Sequence, residues 1–207
     1  MNTGDKIRTT TLESTDGELQ FPHGKWTVLH IYEGDFLPVS ATEIQALSKA
    51  APKFAAHDAK IFALSPDSTA THLAWILSLR NQDRDGKTID IALISDHYGE
   101  FIKTLGMENP RQSGTLIIDP DGIIRAYHKH TSSTGINVTE IERELIALQT
   151  AFAQSAQTPS GWTPGEDVLL SPPLTKHDAL FGAGENEQKG GYCLDWYICY
   201  NQDTGAR

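Results

Sequence analysis

Along the first 155 positions the apolar residues alternate between two patterns: short continuous runs, as in a buried strand, and the three-and-four spacing of an amphipathic helix. "KWTVLHIY", residues 25–32, reads as a strand from its β-branched and aromatic content. It runs through "EGDFLPVS" into Ile44, Leu47, Ala51 and Phe54, whose spacings of 3, 4 and 3 make one helical face. "AKIFALSPD" is a second buried strand, ended by a Ser-Pro-Asp turn. "THLAWILSLR" predicts a helix with Leu73, Ile76, Leu77 and Arg80 on its face. "TIDIALISD" is a third strand, and "HYGEFIKTL" a short helix closed by Gly106 at C′. In "GTLIIDPDGIIRAYHKH", Pro-Asp-Gly between two apolar runs predicts a hairpin, because Pro fixes φ and Gly tolerates φ > 0. A long helix follows, with Asn137 as cap, Glu140 three residues on, and Val138, Ile141, Leu145, Leu148 and Phe152 at spacings of 3, 4, 3 and 4.

Strands alternating with helices, then a hairpin and a helix, predict an α/β layer structure with a mixed sheet. A thioredoxin-like core over residues 1–155 fits this order. From 156 to 207 the texture changes to Pro, Gly and Ser with little periodicity. This reads as an extended arm lying on the core or on a partner subunit. Its end, "YCLDWYICY", concentrates apolar side chains that need cover, for which a second subunit is a natural source.

Net charge and cysteine content narrow the function. The chain has 207 residues and a formal net charge of -10, which repels phosphate backbones and argues against nucleic-acid binding and against an anionic membrane surface. The polar start "MNTGDKIRTTTLES" has no apolar core of a signal peptide, and no apolar run approaches a membrane span, so a cytoplasmic location is expected. Cys193 and Cys199 are the two cysteines. In a reducing compartment a lone pair is free or redox-active. The alternatives are packed relics beside Trp196, or a bond to each other.

Ser40 stands where the first strand hands over to a helix. "SATE" has the form of a capping box, Ser40 at N-cap and Glu43 at N3, which stabilises a helix by roughly 1 kcal/mol without any chemistry. Substrate contact and nucleophilic attack are the other readings of Ser40, with His30 or Glu33 as nearby bases. Glu33 beside apolar Leu37 is a candidate acid or base. His128 and His130 alternate on a strand, and a polar edge strand is their simpler reading than a metal pair lacking a third ligand. No metal or other cofactor is expected.

Three stretches carry a resemblance. "DFLPVSATE" is similar to D-F-T-P-V-C-T-T-E, "DSTATHLAWILSLR" to D-S-x-x-x-H-L-A-W, and "GTLIIDPDGIIR" to G-x-F-I-I-D-x-x-G-x-I-R. These are motifs of the peroxiredoxins, the alkyl hydroperoxide reductase and thiol-specific antioxidant family. The tail through "YCLDWYICY" resembles the long-arm members. The resemblance implies a thioredoxin-like fold, a homodimer and often a ring of dimers. It also implies a thiolate at a helix N-terminus that attacks the peroxide O–O bond, becomes sulfenic acid and is resolved by a second thiol.

Carried over by position, the thiol site falls on Ser40, the hydroxyl-bearing Thr three residues earlier on Leu37, the Pro seven earlier on Glu33, and the Arg before the G-x-F-I-I-D strand on Ser113. Pro38, Val39, Thr42, Glu43 and Arg125 match, and Arg111, two residues before Ser113, is a candidate substitute for the missing cation. Three functions follow: a divergent member whose pocket takes a small oxygen-rich metabolite, a peroxide reductase carrying a Cys-to-Ser change at 40, or a non-catalytic assembly or regulatory protein.

Overall fold

The computed structural model describes residues 2–82, 89–107 and 113–206, which form two compact units, 1–138 and 139–207. The first unit is built on strands β1 (Thr10–Ser14), β2 (Gly17–Phe21), β3 (Trp26–Ile31), β4 (Ala59–Ser65), β5 (Ala92–Ser95), β6 (Ser113–Ile118) and β7 (Ile124–His130). Helices α1 (Pro38–Ala56), α2 (Thr69–Gln82) and α3 (Glu100–Thr104) connect them. The sheet order is β2-β1-β5-β4-β3-β6-β7. β3, β4 and β5 are parallel neighbours joined by α1 and α2, while β6 is antiparallel to β3. This is the expected thioredoxin-like α/β arrangement with a mixed sheet.

Strand periodicity sorts the core. Leu29 and Ile31 join Phe21, Phe62, Phe101 and Leu116 on one face. Val28, His30 and Tyr32 alternate with them on the other, where Tyr32 stacks on Trp75 of α2 at 5.7 Å between ring centroids. The buried side of α2 is His72, Trp75 and Leu79, whereas Leu73 and Leu77 are exposed, so the helix presents the face opposite to the one its leucines suggest. An N-terminal hairpin also enlarges the sheet beyond the expected strands: β1 pairs with β2 around Asp16-Gly17, Gly17 takes φ +101°, and Leu12, Ser14 and Phe21 point inward.

The β6–β7 hairpin turns at Pro120-Asp121-Gly122 as the sequence predicts. Asp119 organises it: Oδ1 accepts from the N–H of Asp121 and Ile123, and Oδ2 accepts from Arg125 Nε at 2.7 Å. Arg125 therefore belongs to the turn, at the far end of the ladder from Ser113 and His130, and not to a pocket beside Ser113.

The second unit comprises α4 (Val138–Gln154), β8 (Val168–Leu169), α5 (Lys176–Gln188), β9 (Tyr192–Asp195) and β10 (Ile198–Asn201). Trp162, fully buried, packs with Ile146, Ala147 and Val168. Its Nε1–H donates to Glu166 O, and its carbonyl accepts from Arg143. α4 buries Ile141 and Leu145 as expected, but Phe152 is exposed. Residues 156–207 hold more structure than an extended arm: β8, β10 and β9 form a sheet, and α5 is capped by Thr175. Cys193 and Cys199 are joined by a disulfide, so of the readings above the pair bonded to each other holds and the free thiols do not. The tail aromatics Trp196 and Tyr197 are not covered by the chain itself.

Gly122 has φ +80°, and a Cβ there would meet Pro22 Cγ at 2.6 Å, whereas Gly24, at φ +77°, has open space around it. Gly122→Ala is expected to cost about 2 kcal/mol or more and Gly24→Ala about 1 kcal/mol, read from urea midpoints at constant m. Equal costs for the two would show that the Pro22 contact contributes nothing.

Candidate functional site

The site is built from a strand with one polar interior position. His30 lies in the middle of β3, fully buried. A buried imidazole needs a partner at each nitrogen, or it carries an unpaid desolvation cost. Nδ1 lies 3.1 Å from Oγ1 of Thr115, its cross-strand neighbour on β6, and Nε2 lies 3.3 Å from Glu43 Oε2. A neutral ring satisfies both contacts, Nε2–H donating to the carboxylate and Nδ1 accepting from the hydroxyl. The second oxygen of Glu43 accepts from Ile136 N–H at 3.2 Å. One carboxylate thus links β3, α1 and the loop after β7.

This arrangement overturns the capping box. The N-cap of α1 is Leu37, with no side-chain cap hydrogen bond, and Pro38 occupies the first turn. Ser40 is inside that turn, 4% exposed, on the same buried face as Glu43 and Ile44. Glu43 is turned to His30 and does not reach back to a cap. No acidic residue sits in the first turn, whose backbone N–H groups carry the partial positive charge of a helix end. Thr42 is exposed, and its hydroxyl donates to Val39 O at 2.7 Å, so it points away from the Ser40 face. Pro38 is exposed, and Leu37, Val39 and Glu33 are half-buried.

Strands β6 and β7 extend the polar face. Ser113 is buried and pairs in register with His130, and Thr115 pairs with His128. Cross-strand partners project to the same side. His30, Thr115 and His128 therefore form one row across three strands, with Ser113 and His130 beside it. The rings of His128 and His130 stack at 6.4 Å, and β7 is an edge strand as expected. His130 Nε2 is buried with no hydrogen-bond partner among the described residues. Burial, then the neighbouring His30 and His128, hold its pKa below the ordinary histidine value. Arg111 lies outside the described residues.

A second polar network fixes the loop that delivers Ser40. Asp35 Oδ1 accepts from Tyr32 OH at 2.8 Å, and Oδ2 faces His72 Nδ1 at 2.8 Å. His72 Nε2 contacts Ile94 O at 3.2 Å, and Asp35 N–H donates to Asp67 Oδ2. Burial, then the charge of Asp35, raises the Tyr32 pKa well above that of a free phenol, so it donates as a neutral hydroxyl. Next in the loop, Phe36 takes φ +58° and lies against Trp75. Tyr32, Asp35, Asp67 and Thr115 have no assigned role in the expectations drawn from the sequence, and His72 and Trp75 enter them only within the helix "THLAWILSLR". The available signal was His72 aligned with two carboxylates in "DF" and "SPD", each of which needs donors once buried.

Known proteins resemble this chain in sequence and in fold. The model of the AhpC/TSA family matches residues 3–127, and that of the C-terminal domain of 1-Cys peroxiredoxin matches residues 147–186. A peroxiredoxin of Methanosarcina mazei is 34% identical over 97% of both chains, and one of Aquifex aeolicus is 34% identical over 90% of both. Among solved structures, a yeast mitochondrial 1-Cys peroxiredoxin superposes with a TM-score of 0.85 at 22% identity, covering 98% of this chain and 99% of its own. A cysteine-to-serine mutant of peroxiredoxin 6 from Arenicola marina superposes with a TM-score of 0.84 at 24% identity over the whole of both chains. Matched by the family model over residues 3–127 and by relatives 34% identical along 90% or more of its length, the chain belongs to the AhpC/TSA family, the peroxiredoxins.

Proposed function

We propose that this chain is a peroxiredoxin-family protein that does not run thiol peroxidation at position 40 and uses the pocket at the first turn of α1 for a small oxygen-rich metabolite. The observation that carries this reading is the hydroxyl of Ser40 where the family resemblance puts a thiol, with a buried His30–Glu43 pair behind it. Leu37 offers no hydrogen bond to a peroxide, and Ser113 no positive charge to a thiolate. What the turn does offer is uncapped N–H donors and the Ser40 hydroxyl, while the sheet carries the Ser113 hydroxyl and the unpartnered nitrogen of His130 on paired positions of β6 and β7. Such a set binds carboxylate or hydroxyl oxygens. In this reading the chain works as a homodimer or a higher ring, with Leu180 and Phe181, exposed on α5, as contact residues.

A second reading is a thiol-dependent peroxide reductase bearing serine at the reactive position. It is favoured by relatives named peroxiredoxin that match along almost the whole chain. Peroxide consumption separates the two. The protein as written is expected to consume no hydrogen peroxide above buffer. Ser40→Cys alone is expected to stay at least about 100-fold slower than the triple change Ser40→Cys, Leu37→Thr, Ser113→Arg, because one missing transition-state partner costs roughly 100-fold to 1,000-fold. If Ser40→Cys alone matches the triple variant, the second reading stands.

His130 gives a pH signature. Its pKa is depressed in the folded chain, so the unfolded chain takes up the proton first. Unliganded stability is expected to fall as pH drops below about 6.5 and to level off once folded His130 is protonated. Malate or lactate used as a probe is expected to bind more tightly over the same range, because His130 gains charge. Calorimetric titration at two pH values, with His130→Phe as the comparison, checks this: a pH-independent affinity removes His130 from the site.

Glu43 tests the framework. Glu43→Ala leaves the buried His30 Nε2 and the half-buried Ile136 N–H without their acceptor and is expected to cost about 3 kcal/mol in urea unfolding. Glu43→Gln keeps an acceptor and should cost clearly less.

A further inference from the structure

Charge is spread unevenly over the first unit. A cavity of about 510 Å³ lies between the N-terminal segment and α3, and Lys6, Arg8 and Lys103 all line it. None of these three side chains has an ion-pair or hydrogen-bond partner among the described residues. By contrast, Lys25, Arg125 and Arg143 each face a carboxylate. Asp5 is the one carboxylate on the cavity wall among the described residues, and its Oδ2 accepts from Asn2 N–H at 2.8 Å. On a chain of net charge -10, three cations without counter-charge around one cavity are a local reversal of sign.

Backbone hydrogen bonds fix the frame that carries them. Gly4 N–H donates to Ile124 O, Ile124 N–H to Asp5 O, and Ile7 N–H to Gly122 O. Ile7 is buried, so Lys6 and Arg8 on either side of it project together, away from the core. The buried carboxylate of Asp96 holds α3 by accepting from Phe101 N–H and Ile102 N–H. At the other end of α3, Leu105 N–H donates to Phe101 O and Ile102 O, and Gly106 N–H to Lys103 O, so these carbonyls are met without the lysine side chain. A second cleft of about 440 Å³ adjoins the first and shares Arg8 and Thr104 with it. Its wall adds the exposed Tyr98 ring, packed edge-on against His97, and the carboxylates of Glu13 and Glu100. Those carboxylates repel phosphate and accept from hydroxyl or amine protons.

We propose that the two clefts together bind a nucleoside polyphosphate, its phosphates among Lys6, Arg8 and Lys103 and its nucleoside toward Tyr98. Three unpaired cations select an anion with several charges over a single carboxylate. The adjoining cleft excludes further negative charge while offering a ring face to a base and acceptors to ribose hydroxyls. No residue of this site belongs to the pocket at Ser40.

Calorimetric titration of the full-length protein with ATP and with inorganic tripolyphosphate, at low salt and without divalent metal, tests this. ATP is expected to bind about tenfold more tightly than tripolyphosphate, the gain of one stacked base. Tyr98→Ala should remove that gain and leave tripolyphosphate binding unchanged. Arg8→Glu with Lys103→Glu is expected to weaken both probes by at least about tenfold. Lys176→Glu with Lys189→Glu makes the same change of net charge on the second unit and should leave both affinities within about twofold, since exposed charges that far outside the site are screened. Arg8→Gln and Lys103→Gln singly are expected to weaken both by about threefold each, which keeps the test open if the double reversal does not fold. Absence of binding for both probes at millimolar concentration overturns the proposal, as does an equal loss in the second-unit variant. Equal affinity of ATP and tripolyphosphate overturns the nucleoside half of it.

Discussion

An imidazole at the middle of a fully covered central strand has to be satisfied, and the first turn of α1 is arranged around how His30 is satisfied. Its partners come from three directions: Thr115 across the sheet, Glu43 from the helix, and through Glu43 the backbone of Ile136. Burying such a pair contributes little net stability, since desolvation offsets much of the attraction. Its effect is positional. With Glu43 held by His30, the helix cannot cap itself with that carboxylate, and Leu37 at the N-cap has nothing to offer. The donors of the first turn stay open to whatever lies beside Ser40.

The approach to that turn is fixed by the second network. Phe36 adopts a left-handed backbone conformation, which for a bulky residue costs on the order of 1–3 kcal/mol. Asp35 is anchored through its N–H to Asp67 and through its carboxylate to Tyr32 and His72, while the Phe36 ring rests near Trp75. The anchors come from β3, α2 and the turn after β4, so the loop conformation is set by elements far apart in sequence. His72 adds a constraint of its own. Its Nδ1 lies at Asp35 Oδ2 and its Nε2 at Ile94 O, so one ring ties the loop to β5. Tyr32 remains the neutral donor to the other oxygen of Asp35.

Much of this was legible in the chain, for physical reasons that differ by element. The strand at 25–32, the helix after Ser40 and the Pro-Asp-Gly hairpin follow from apolar runs and turn chemistry, which are local. The β1–β2 hairpin was equally local and was passed over: Asp16-Gly17 between alternating residues is a strong turn signal, obscured by the polar composition around it. The capping box failed because "SATE" satisfies a local rule while Glu43 answers a stronger, non-local demand from a buried histidine. The α2 face failed in the same way: Leu73 and Leu77 looked like the core side, but His72 and Trp75 had polar and aromatic partners waiting on the sheet. Where a polar side chain is buried, the partner that decides its role lies elsewhere in the chain.

The same accounting bears on what a hydroxyl can do at position 40. A helix N-terminus stabilises an anion by about 0.3–1 kcal/mol, and by about 2 kcal/mol in a favourable, partly buried geometry. At about 1.4 kcal/mol per pKa unit, that moves a thiol from roughly 8.5 into the neutral range. An aliphatic hydroxyl starts far above a thiol, close to water, and the same field leaves it protonated. Ser40 therefore acts through its O–H and lone pairs unless a base takes the proton. His30 is poorly placed for that task, with one nitrogen on Glu43 and the other on Thr115. His130 Nε2 has no hydrogen-bond partner among the described residues, and burial holds the ring's pKa below the ordinary histidine value. A first turn with free N–H donors and a neutral hydroxyl presents hydrogen bonds to oxygen atoms, and no thiolate stands in it to attack a peroxide.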